Sequence, residues 1–347
     1  MAKKNPANWG TLSVDLLAKL ELRLLLLREV VRARLGFVKR PGSRWGGPYE
    51  LQREVGDNNA HGIAMAAIIK NEGRYLAEWL EFHVMMGVRH IYLYDNGSTD
   101  NTPDVLKPYI RDGLVTIMPW PNFSATLRPQ SLAYSHALAS FGADYEWMVF
   151  IDIDEFVYPV KGQSLGETLS ELAHLPGVNL PWICFGPSGH QTRPEGLVIK
   201  NFTERGSFPP RDDQYRLIKH KTIVNPRRIT GGTWPHYFHS KEDGPILIND
   251  RGEKFPPHQA KNLKYATADR LRLHHYFTRS YEELERKLKR GRLDRLGGVH
   301  MTAQSGRLKQ YLLYTEQDTV MTRFIPELER RLAQRYGPKM GLVEAQA

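Results

Sequence analysis

Cysteine is nearly absent from these 347 residues, with Cys184 the single instance. One thiol cannot close a disulfide within the chain, which excludes a disulfide-stapled secreted fold and a cysteine-based zinc site. A reducing compartment is favoured, and the sequons at Asn96, Asn122 and Asn201 are expected to stay idle. Long uncharged apolar runs are missing as well. The leucine-rich stretch from Leu12 to Phe37 is broken by Asp15, Lys19, Glu21, Arg23, Arg28, Glu29, Arg32 and Arg34. A spanning helix needs roughly 20 mainly apolar residues, and a signal peptide lacks acids and ends in a small-residue cleavage site. A basic amphipathic helix of this kind suits packing on its own domain, a homo-oligomer contact, or a peripheral contact with an anionic membrane. The expected location is cytoplasmic, with the inner membrane face as the surface such a helix would touch.

Glycine-rich nucleotide signatures are absent too. Neither G-x-G-x-x-G nor the P-loop pattern follows the first apolar run, "GIAMAAII", which sets aside dinucleotide and P-loop enzymes. The glycine-rich basic loop of sugar-1-phosphate nucleotidyltransferases is missing from "AAIIKNEGRYLAEW". What is present is positive charge: 48 basic against 38 acidic residues, a net +10. That balance suits nucleic acid, anionic membrane or phosphorylated small molecules. No RNP-like or zinc-finger signature accompanies it, so nucleic acid is not the expected partner. Hydrophobic residues make up 41%, enough for a substantial core.

The Pro/Gly/basic segment Lys39 to Glu50 reads as a linker, which puts the start of the globular part near His61. Apolar runs then alternate with helical periodicity. Strands are expected at Gly62 to Ile69, Val88 to Tyr94, Leu114 to Trp120 and through "WMVFIDI", with helices between them. Thr102 and Pro103 read as a helix N-cap and first turn. Such β-α-β-α-β-α-β order predicts an α/β fold with a mostly parallel sheet flanked by helices, whose ligands sit at the carboxyl ends of the strands. Further on, Ser164/Glu167 and Ser280/Glu283 are capping boxes, "LRLHHYF" is a strand, and Leu308 to Tyr336 reads as helical. The expected division is 1–60 for the N-terminal helix and linker, 61–300 for the main domain (61–160 and 161–300 as its halves), and 301–347 for a helical extension.

"VFIDIDEF", Val149 to Phe156, carries acids at the end of an apolar strand. If the strand continues, alternation puts Asp152 and Asp154 on one face and turns Glu155 away, into a structural role. Two adjacent carboxylates repel unless a cation sits between them, and hard oxygen ligands suit Mg²⁺ or Mn²⁺ with substrate phosphates. "DNGSTD" and "KNE" end two other strands. Each alone is turn chemistry, but polar clusters at three neighbouring strand ends point to a ligand.

"AAIIKNEGRYLAEWLEFHVMMGVRHIYLYDNGSTDNT", "WMVFIDIDEF" and "HHYFTRSYEELERKLKRG" together resemble glycosyltransferase family 92 and its bacterial relatives, over about Ala64 to Gly291. The resemblance implies the GT-A fold, Rossmann-like and related to family 2, here with N- and C-terminal helical appendages. It implies that Asp152 and Asp154 hold Mn²⁺ (or Mg²⁺) against the diphosphate of a nucleotide sugar, with a UDP-sugar as the expected donor. Asn71, Glu72, Asp95 and Asn96 would line the nucleoside pocket, and Arg128 and Gln130 would touch the donor. His275 would complete the metal site, with His274 beside it as the competing choice. Lys219 and Lys221 match a segment suited to phosphate contact.

The implied reaction is hexosyl transfer to a glycan hydroxyl, with inversion. A carboxylate must then take the acceptor proton: Asp213 and Asp212 are the first candidates, with Glu195 and Glu204 also open. The competing reading is a non-catalytic glycan-binding or scaffolding protein on the same fold, against which the intact Asp152/Asp154 pair speaks. Animal and plant members resemble anchored, disulfide-bonded Golgi enzymes, whereas this chain is expected to be of the bacterial cytoplasmic type.

Overall fold

The computed structural model describes residues 61–121, 128–209, 219–234, 236–242, 244–256, 259, 262–290 and 316–337. The helix expected at 12–37, the candidate bases Asp212 and Asp213, and the stretch 291–315 lie outside these residues.

The first half alternates as expected. β1 (Ile63–Ile69), α1 (Gly73–Met85), β2 (Val88–Asp95), α2 (Thr102–Arg111), β3 (Val115–Pro119), α3 (Pro129–Phe141) and β4 (Trp147–Phe150) follow one another. β1 consists of apolar residues, nearly all of them buried, as suits a strand in the interior of the sheet between β2 and β4. α2 begins at Thr102 itself. The residue that ties down its start is Asp100, whose Oδ1 accepts from Thr102 N at 3.1 Å and Thr102 Oγ1 at 2.6 Å. The other oxygen of Asp100 accepts from Gly73 N at 2.9 Å, so one carboxylate braces the starts of two helices.

β5 (Glu155–Pro159), α4 (Leu165–Glu171), β6 (Gly177–Cys184), α5 (Val198–Asn201), β7 (Glu204–Arg205), β8 (His220–Val224), β9 (Ile229–Trp234), β10 (Tyr237–Ser240), β11 (Gly244–Pro245), β12 (Leu271–His275), α6 (Tyr281–Arg290), β13 (Glu316–Gln317) and α7 (Ile325–Tyr336) complete the order. The eight-stranded sheet runs β3-β2-β1-β4-β8-β6-β12-β5. β8 lies antiparallel to β4 and β6, and β5 antiparallel to β12, while the other pairings are parallel. β1, β2, β3, β4, β6 and β12 therefore end at one edge. That edge collects the segments after Ile69, Asp95, Phe150, Cys184 and His275.

Leu308 to Tyr336 is not one helix. Among the described residues the chain pairs β13 with β7, passes a 3₁₀ turn at Val320–Phe324, and enters α7 only at Ile325. Two local forces account for this. Arg205 on β7 pairs with Glu316 and Asp318, both at 2.7 Å, and Pro326 favours a helix start at its own position. α7 docks on α1 through Glu81, which is buried and accepts from Arg331 Nε at 2.9 Å and from Arg335.

Candidate active site

β4 stops at Phe150, so Asp152 and Asp154 do not alternate along a strand. A turn replaces it: Glu155 N donates to Asp152 O at 3.0 Å, and Asp152 N donates back to Glu155 Oε2 at 2.9 Å. Ile151 and Ile153 are buried and anchor the turn in the core. Glu155 was expected to face away. It is instead fully buried, with its carboxylate folded back under the two aspartates. The reversal at the strand end, which alternation does not register, makes this difference.

Asp152 faces α3 and β8. Its Oδ1 accepts from Gln130 Nε2 at 2.5 Å and from Tyr134 Oη at 3.4 Å, while Oδ2 lies 2.9 Å from Lys221 Nζ. Lys221 also lies 3.7 Å from Glu155 Oε2 and is itself buried. Burial opposes its charge, but Asp152 and then Glu155 outweigh burial and raise the ammonium's affinity for its proton. Burial pushes the Glu155 carboxyl well above the ordinary range, with Lys221 pulling the other way.

Asp154 faces β12 and α6. Its Oδ2 lies 2.6 Å from Lys287 Nζ and its Oδ1 3.5 Å from His275 Nε2. Burial alone would raise its carboxyl; Lys287, His275 and Arg279 outweigh it and hold the group well below its usual value. Burial lowers His275 against the pull of Asp154, leaving a neutral imidazole, the form that ligates metals. The imidazole lies against Trp182, ring centres 4.2 Å apart. His274 points to the other side of β12 and is bonded to Tyr158 Oη at 2.8 Å. The ambiguity between the two histidines thus resolves geometrically towards His275.

Ligand atoms of Asp154, Glu155 and His275 lie within 4.8 Å of one another. Among the described residues, Glu155 Oε1 and His275 Nδ1 are buried without a hydrogen-bond partner. An ionised carboxylate, a second carboxyl with an unengaged oxygen and a neutral imidazole fit a hard divalent cation.

The neighbouring strand ends are braced by their own side chains. Asn71, at a left-handed φ of 55°, donates its N–H to Ser98 Oγ at 2.9 Å and accepts from Thr99 N at 2.7 Å. Asp95 Oδ1 accepts from Ser98 N and Oγ at 2.9 and 2.6 Å, and Asn96 Nδ2 donates to Trp120 O at 2.8 Å. Glu72 lies 3.5 Å from Arg279, whose guanidinium stacks 3.6 Å over the Tyr75 ring. Arg128 precedes α3 as its N-cap residue. Lys219 is exposed, its ammonium 5.4 Å from the Trp182 ring centre. Gln130, Lys221, Asp152, Asp154 and His275 thus converge, while Asn71, Asp95 and Asn96 shape the adjoining rim. Lys287 joins them from α6, and its only local mark in the sequence is the i, i+4 spacing that sets it on one face with the capping residue Glu283.

A family model described as "Glycosyltransferase family 92" matches residues 63–294. A glycosyltransferase family 92 protein of Oryza sativa subsp. japonica is 31% identical over 204 residues, covering 55% of this chain and 33% of the relative. Galactan β-1,4-galactosyltransferase GALS2 of Arabidopsis thaliana is 32% identical over 168 residues, 44% of this chain and 31% of the relative. S. aureus TarS 1–349 in complex with UDP overlays at a TM-score of 0.30 with 15% identity, covering 48% of this chain and 47% of TarS. The chain spans about a third of the length of the curated relatives it matches.

Proposed function

The chain belongs to glycosyltransferase family 92, and from that premise we propose that it transfers a hexosyl group from a UDP-sugar to a glycan hydroxyl, with inversion and with a divalent cation. The observation that carries this reading is the grouping of Asp154, Glu155 and His275, ligand atoms within 4.8 Å of one another, at the carboxyl edge of the sheet. Asp154 and His275 would hold the cation, with Asp152 and Glu155 adjoining. When bound, that cation supplies Lewis-acid stabilisation of the departing diphosphate.

The chain's own residues do the rest. Lys221 and Gln130 fix the Asp152 carboxylate from both sides, so a hydroxyl of the nucleotide sugar meets an oriented acceptor. The buried isoleucines hold the turn rigid against the core. Glu72 and Arg279 sit at the rim, where a cationic guanidinium suits phosphate. The acceptor hydroxyl passes its proton to a carboxylate, for which we propose Asp213 or Asp212. The galactosyltransferase named among the relatives makes a β-linked galactan one acceptor class to try first.

The test is UDP release from a panel of UDP-sugars and oligosaccharide acceptors, with Mn²⁺ or with chelator. Turnover that needs Mn²⁺ and falls at least about a hundredfold in Asp154→Asn supports the reading. Turnover indifferent to chelator, or retained by Asp154→Asn, contradicts it.

A further inference from the structure

We propose that Lys287 is an exchangeable cation on Asp154, which moves to the donor's diphosphate when a divalent ion arrives. Metal and diphosphate would then bind together far more tightly than either alone. The inference rests on the metal-dependent reading above. Three carboxyl groups, those of Asp152, Asp154 and Glu155, meet two ammonium groups, those of Lys221 and Lys287. Much of the acidic edge is therefore compensated before any metal enters.

The two lysines differ in their freedom. Lys221 projects from β8, is 1% exposed, and is wedged between Asp152 and Glu155. It has nowhere to go. Lys287 comes from α6, its side chain 30% exposed, and reaches Asp154 on a long flexible stem. Its ammonium lies 2.6 Å from Asp154 Oδ2, donates to Phe277 O at 3.2 Å, and rests 3.9 Å from the Phe277 ring centre. α6 itself stays put: Ser280 and Glu283 close its capping box, and Tyr75 bonds Glu283. The exchange needs only a side-chain swing.

A divalent cation arriving alone meets a carboxylate already taken, and two cations crowded on one carboxylate repel. A diphosphate changes the balance. It brings negative charge that the metal and a displaced ammonium can share, and lysine is a strong phosphate donor. Because coupling between two ligands is reciprocal, tighter metal in the presence of UDP means tighter UDP in the presence of metal.

The test measures free Mn²⁺ by electron paramagnetic resonance during titration of the full chain, with and without UDP. Wild type, Lys287→Met and Lys287→Arg are compared. We expect UDP to tighten Mn²⁺ in the wild type by about tenfold or more. Lys287→Met should bind Mn²⁺ alone about tenfold tighter than wild type and lose most of the UDP enhancement. Lys287→Arg, which keeps the competing charge, should stay near wild type and also serves as a folding control. If Lys287→Met binds Mn²⁺ no tighter and keeps the full enhancement, the exchange is wrong while the metal site stands. If wild type binds no Mn²⁺ with or without UDP, the site reading and the exchange fall together.

Discussion

Replacing Lys221 by Met probes the electrostatic logic of the edge in isolation from any substrate. Lys221 is 1% exposed, and its ammonium lies 2.9 Å from Asp152 and 3.7 Å from Glu155. Methionine keeps much of the stem's volume, so the change removes charge rather than packing. Asp152 can turn to water, because its side chain is 35% exposed. Glu155 is fully buried and cannot. The loss therefore falls mainly on Glu155, whose carboxyl, already pushed up by burial, loses the cation that pulls it down; breaking a buried pair costs about 3–5 kcal/mol. For a domain of this size that corresponds to a drop in Tm of about 6–20 °C.

A second substitution isolates the cause. Glu155→Gln removes the carboxyl that Lys221 compensates, so Lys221→Met/Glu155→Gln should lose less than the sum of the two single changes, by about 2 kcal/mol. Urea unfolding followed by tryptophan fluorescence gives all four corners of the cycle. A Lys221→Met protein within about 1 kcal/mol of wild type, or strict additivity in the double, would refute the reasoning.

Acidification should destabilise the fold. Burial lowers His83 to about 3, His220 to about 4 and His274 to about 3. Their stabilising contribution is present above the unfolded value and is lost as pH falls from about 6.5, roughly 2 kcal/mol each at pH 5. Glu78 works in the opposite sense: burial raises it to about 7, so its contribution is present at low pH and is lost as pH rises through 7, worth about 2 kcal/mol over the same window. The histidines win, and Tm should fall between pH 7 and 5, more steeply in Glu78→Gln. Glu81→Gln should cost about 3 kcal/mol by leaving Arg331 and Arg335 without their buried carboxylate, and limited proteolysis should then cut α7 first. Gly73→Ala should cost about 1–3 kcal/mol, because its Cβ would collide with Asn101 Oδ1 and sit 2.7 Å from the backbone nitrogen of Thr102; a substitution that leaves urea stability unchanged would contradict this.

Most of the sheet was legible because its strands are continuous apolar runs between clear helix signals. β1, β2, β3 and β12 lie within a residue or two of their expected bounds, as does α6 with its capping box. The acids of 149–156 were legible as a cluster at the right edge, but not in their arrangement. Alternation presumes that a strand continues, and here the backbone turns after Phe150. Glu155 was misplaced for that reason. Lys287 is not legible as a site residue because its partner, Asp154, lies 133 residues away in sequence, and no local pattern carries such a contact. The mixed direction of the sheet has the same origin, since β8 enters between β4 and β6 from a distant segment.

The most direct measurement is anomalous scattering at the manganese edge from crystals soaked with Mn²⁺ and UDP. The account predicts one strong peak within ligand distance of Asp154 and His275, with the diphosphate on its open side and Lys287 withdrawn from Asp154. A peak elsewhere, or UDP ordered at the sheet edge with no metal beside Asp154, would contradict it.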